Sequence, residues 1–109
     1  MTVAVNTDGD QLAVLNTEHT LATITAAGVY VLAVDLAVLA PIDEVVLRIY
    51  GKARSTGTER LLMRATYGPI TPYNPLVESI PITSPHHFRA TLQQIAGSVR
   101  TWPWAVYEL

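Results

Sequence analysis

The chain has 109 residues, no cysteine and a formal net charge of −2, which suits one domain and excludes disulfides, thiolate metal sites and cysteine nucleophiles. Seven Lys and Arg stand against nine Asp and Glu with no run of either sign, so no basic stripe is available for nucleic acid. Apolar residues make up 50% of the chain and charged residues 15%, which leads us to expect a partner covering some of the apolar surface.

Residues 1–16 are weakly patterned, with Val3, Val5 and Leu12 set around Asp8-Gly9-Asp10. They are expected to form an N-terminal arm or a first short strand, ahead of a single domain over residues 17–109. Asp8-Gly9-Asp10 looks like a fragment of a calcium loop but lacks the bidentate carboxylate downstream, so a plain turn is the better reading. No basic start precedes an apolar run, which argues against a signal peptide. The most apolar stretch, residues 26–41, is interrupted by Asp35 and is too short to span a bilayer. A soluble chain made in the cytoplasm, with no membrane partner, is the expectation.

The clearest signal in the next segment is GVYVLAVDL, residues 28–36. It follows a turn, is rich in β-branched residues and is apolar on both alternating faces, as a central strand covered on both sides would be. A helix over 31–39 is the rival; Gly28, the β-branched density and Pro41 argue against it. Pro41-Ile42-Asp43-Glu44 reads as a turn. EVVLRIYGKAR, residues 44–54, then alternates, with Val45, Leu47 and Ile49 inward and Val46, Arg48, Tyr50 and Lys52 on a wet face. Ser55-Thr56-Gly57-Thr58 is a hairpin loop, and residues 59–68 return antiparallel to the preceding strand.

Residues 69–85 carry Pro69, Pro72, Pro75, Pro81 and Pro85. Proline lacks the ladder donor, so this segment reads as a crossover with a short edge strand around Leu76 to Ile82. Tyr73, Leu76 and Val77 are its candidate exposed apolar residues; the alternative is a rigid connection in which Tyr73 covers the core. In SPHHFRATLQQ, residues 84–94, strand alternation sends His86 and His87 to opposite faces, where they cannot share one ion. Phe88, Ala90 and Leu92 then face the core, while His87, Arg89, Thr91 and Gln93 form a polar face. His19, beside Glu18, has no spacing relation to that pair. After Ala96-Gly97-Ser98 the last strand brings Trp102 and Trp104 to one face with Val106. Such aromatics are core or interface anchors, and Pro103 opposite them marks an edge or a bulge.

These elements, separated by regular turn signals, predict an all-β fold, an antiparallel β-sandwich or jelly roll of seven or eight strands. No GxSxG, HExxH or P-loop occurs. No catalytic residue, cofactor or metal site is expected.

From Thr20 onward the ordered series GVYVLAVDL, VVLRIYGKA, SPHHFRATLQQ and a terminal aromatic strand resembles a family of small structural proteins of tailed bacteriophages. The resemblance implies a virion component of the capsid decoration (cement) type. Such a protein binds the outer surface of the major capsid protein lattice, often as a homotrimer, and stabilises the head. Val3, Val5, Leu12, Tyr73, Leu76, Val77, His87, Arg89 and Trp104 are the interface candidates. The competing expectations are a neck, tail or fibre-associated module, and a carbohydrate-binding jelly roll using Trp102 or Trp104 as its platform.

Overall fold

The computed structural model describes residues 3–68 and 74–109; Tyr73, one of the interface candidates, lies outside them. The described residues form nine strands and no helix: β1 (Ala4–Leu12), β2 (Glu18–Ile24), β3 (Gly28–Asp35), β4 (Glu44–Gly51), β5 (Arg60–Tyr67), β6 (Leu76–Glu78), β7 (Ile82–Ser84), β8 (Phe88–Ala96) and β9 (Thr101–Glu108). They make a β-sandwich of two antiparallel sheets. One runs β1-β9-β3-β6, with β7 also on β3, and the other β2-β8-β4-β5.

The pairing is nested. β4 pairs β5 across the hairpin; β3 pairs β6 and β7; β2 pairs β8; β1 pairs β9. The chain is thus one long hairpin, with its tip between β4 and β5, folded over onto itself. Two further pairings, β3 with β9 and β4 with β8, join the layers of that roll into sheets.

The count of nine exceeds the expected seven or eight because the proline-rich edge strand is split. Pro81 has no donor to offer, and Ser79 bridges the gap. Its backbone N–H donates to Leu32 O at 2.8 Å, while its hydroxyl accepts the Leu32 N–H at 3.0 Å. The N-terminal segment also departs from the arm alternative: nine of its residues form β1, in register with β9 from Ala4↔Glu108 to Leu12↔Thr101.

The core lies between the sheets. Trp102, Tyr30, Phe88, Leu36, Ile49 and Leu92 are its largest fully buried side chains, and the Tyr30 and Phe88 rings meet at 5.3 Å. β3 is apolar on both faces because it is covered on both: Tyr30, Leu32 and Val34 join the core, while Val31 and Ala33 are buried on the outer face. Val77, expected to be exposed, packs against the core instead. Trp102 is buried, and Trp104 packs half-buried on the same side, its indole over Gly9 where any side chain would crowd it.

Candidate functional site

Three surfaces of the sandwich carry chemistry. The first is the end formed by the loops after β1, after β3 and between β8 and β9. Asp43 organises it. This carboxylate is fully buried. It accepts the Ala40 N–H at 2.8 Å, the Ser98 N–H at 3.1 Å and a short bond from the Arg100 guanidinium. Burial alone would raise its pKa, but the Ala40 and Ser98 amides and Arg100 outweigh that and hold it below the ordinary aspartate value.

Two glycines make room for this contact. Gly97 has φ +93, and a Cβ there would fall 1.9 Å from Asp43 Oδ1; Gly68 has φ +105, and its Cβ would fall 2.1 Å from Asp43 O. Neither position admits another residue without displacing the aspartate. Beside them, buried Gln94 donates to Ala96 O and Ser98 O and accepts from the Trp102 indole. Its backbone carbonyl takes the N–H of Asn16, which has φ 63. The loops are therefore tied to one another through polar groups beneath their tips.

The tips themselves are apolar. Leu12, Val14, Leu15, Val38, Ile42 and Val99 are between 38% and 65% exposed, and all sit at this end of the sandwich. Loop tips ordinarily carry small polar residues. Six large aliphatic side chains on a hydrogen-bonded base are the arrangement of a docking surface.

The second surface is the outer face of the four-stranded sheet, which is polar but not simply wet. Glu18 Oε2 accepts from Tyr50 Oη and Thr91 Oγ1, both at 2.6 Å. The two hydroxyls, with Arg48 and Arg89, overcome its burial and lower its pKa; the bond to Glu18, with burial, raises that of Tyr50. Arg48 reaches Gln93 at 2.8 Å.

Arg89 forms a two-pronged pair with Glu59, at 2.9 and 2.8 Å. It also donates to Thr20 and lies 4.3 Å from the centre of the Tyr50 ring. His87 Nε2 approaches the same Glu59 at 2.5 Å. The Arg89 pair, with His87 behind it, lowers Glu59 to about 2. Val46, expected on a wet face, is fully buried, as is Thr91. Val46 lies in register between Gln93 and Thr66, beneath the long side chains that link across the sheet.

The third surface is a shallow trough of about 400 Å³ on the outer face of the five-stranded sheet. Asp8 and Asp10 of β1 and Asp35 of β3 border it, Pro103, Ala105 and Tyr107 of β9 help to floor it, and Leu76 stands at one side.

The interface candidates do not form one patch. Val3 and Val5 are exposed at the start of β1, and Leu12 is exposed at its opposite end among the apolar tips. Leu76 and Trp104 border the trough. His86 and His87 precede β8 rather than lying in it, and His87 and Arg89 are occupied by Glu59. Trp102 is fully buried and offers no face for stacking a sugar, and Trp104 is half-buried against the core with its indole over Gly9. Among the described residues, no group of three or more His, Asp or Glu could hold a metal ion.

Sequence reading missed Asp43 and Glu59. Asp43 sits in a turn, where an aspartate is ordinary, and only its burial distinguishes it. The partners of Glu59 are about thirty positions away. The apolar tips were legible one at a time, but nothing in the sequence says that those loops share one end. No protein-family model, curated protein or solved structure matches the chain.

Proposed function

We propose that this chain is a structural protein of a tailed-bacteriophage virion, a capsid decoration protein that docks on the major capsid protein through its apolar loop end. The observation that carries the docking is the set of aliphatic tips held on the Asp43 hub. A rigid apolar surface loses little conformational freedom on binding, so more of the burial becomes affinity. The resemblance of the strand motifs to small phage structural proteins supplies the identity of the partner. Nested pairing supports the jelly roll within the sandwich: with β6 and β7 taken as one interrupted strand, eight strands roll up as two Greek keys.

Decoration suits a domain of this kind. A lattice multiplies a modest contact through many equivalent sites, and a ligand that binds only the expanded shell stabilises it by mass action. Self-association, with a homotrimer as the expected form, would place several loop ends on neighbouring capsid subunits at once.

Quantifying the protein in purified virions that carry its gene tests the reading. Copies comparable in number to the major capsid protein, on the outside of the head, are expected, as is lower head stability when the gene is deleted. A few copies confined to the neck or tail would replace this reading with the tail-module one. Absence from the particle would end both.

A further inference from the structure

We propose that the acidic trough on the five-stranded sheet is the docking site for the basic β4–β5 hairpin of a second copy of this chain, so that the protein associates head to tail.

Positive charge is confined to one of the two sheets and the loops at its ends. The strands of the five-stranded sheet contain Asp8, Asp10, Asp35, Glu78 and Glu108 and no Lys or Arg. All the cations except Arg100 lie in the four-stranded sheet or its hairpin: Arg48, Lys52, Arg54, Arg60, Arg64 and Arg89. Arg100 is paired with Asp43, Arg89 with Glu59, and Arg48 with Gln93 and Glu18. Among the described residues this leaves Lys52, Arg54, Arg60 and Arg64 without an ion pair, all on the hairpin or its return strand. The trough is likewise unanswered: Asp8, Asp10 and Asp35 border it and no cation does.

Shape and chemistry agree with the charge. The hairpin is the narrow tip of the folded-over chain, and Arg54 and Arg60 are exposed on it. The trough, at about 400 Å³, is wide enough for a turn carrying one or two long side chains. A guanidinium entering it would find carboxylates for forked hydrogen bonds and the face of Tyr107 to stack on. The small side chains of Ala33 and Ala105 keep its floor low.

The two surfaces differ and lie on different parts of the molecule. Each copy therefore offers a hairpin to one neighbour and a trough to another, a heterologous contact that closes into a ring or continues as a filament. The edge strands would not pair as well with themselves. β5 against β5 in a second copy sets Arg60 and Arg64 against like charges, and β1 against β1 does the same for Asp8 and Asp10.

Sedimentation of the full chain with paired charge reversals tests this. At low salt the unaltered protein is expected to self-associate, and added salt should dissociate it. The acidic-face variant Asp8→Arg with Asp10→Arg and the hairpin variant Arg54→Glu with Arg60→Glu should each weaken association at least about tenfold. All four sites are exposed, and circular dichroism would verify that the variants fold. Combining the four reversals in one chain should restore association. So should mixing the two variants, as alternating copies, because the basic hairpin of one meets the acidic trough of the other and the acidic hairpin of the second meets the basic trough of the first. An unaltered protein that stays monomeric at low salt overturns the proposal. So does association indifferent to either variant, or association lost in both and not restored by combining them; a basic partner other than this chain would then be the trough's occupant.

Discussion

Asp43 is the residue on which the loop end depends. Its carboxylate is completely buried and joins the turn before β4 to the turn before β9. Asn fits the same volume but brings a donor where only acceptors are wanted, and it leaves Arg100 without its counter-charge. Removing one partner of a buried charged pair costs more than the pair contributes, because the other groups stay desolvated. Asp43→Asn should therefore lower unfolding free energy by about 2–4 kcal/mol, read from the midpoint of urea denaturation at neutral pH. A loss within about 0.5 kcal/mol, the range of an ordinary surface change, would show that the hub is not structural. Nothing local in Pro41-Ile42-Asp43-Glu44 distinguishes this aspartate from a solvated turn residue. The deciding partners, Ser98 and Arg100, are 55 and 57 positions away.

The elements themselves were legible wherever alternation was clean. Gly28–Asp35, Glu44–Gly51 and Arg60–Tyr67 lie close to their expected spans, because a sheet buried on one or both faces writes its period directly into the sequence. The crossover was legible only as an edge, since proline reveals where a ladder breaks but not which strand it borders. The polar face of β8 was legible as polar but not as a clamp, because Glu59 arrives from the hairpin flank.

That clamp makes a pH prediction. Glu59 falls from its ordinary value of 4.5 to about 2 on folding. A carboxylate with a depressed folded pKa contributes stability above the unfolded value and loses it as pH falls through the folded one. The contribution is thus whole above about pH 4.5 and fades toward pH 2. Glu59→Gln should be less stable than the unaltered chain by about 1–3 kcal/mol at neutral pH, and the gap should close over that acid window. Asp43 is present in both chains and cancels. A gap that stays constant down to pH 2 would mean that the charge of Glu59 contributes nothing.

At the scale of the molecule, the nested pairing divides the labour. Rolling one long hairpin brings the turns after β1, after β3 and after β8 to one end, although they lie far apart in sequence. It leaves the β4–β5 tip at the other end and turns the acidic and basic sheet faces away from each other. Stability resides in the core and the Asp43 hub, so the aliphatic tips are free of that duty. Val38, Ile42 and Val99 are at least half exposed, and truncating an exposed side chain changes stability by about 0.5 kcal/mol or less. The triple variant Val38→Ser, Ile42→Ser, Val99→Ser should therefore unfold within about 1 kcal/mol of the unaltered protein. In the proposed role it should also bind emptied capsids lacking the native protein at least about tenfold more weakly, since apolar anchors at the centre of a contact dominate its energy. Charge reversal in the trough should leave that binding intact for a single copy while reducing the avidity of the assembled one. Measuring both variants on the same heads separates the two surfaces. Equal capsid binding by the triple variant and the unaltered protein would remove the loop end from the contact and return the question to the sheet faces.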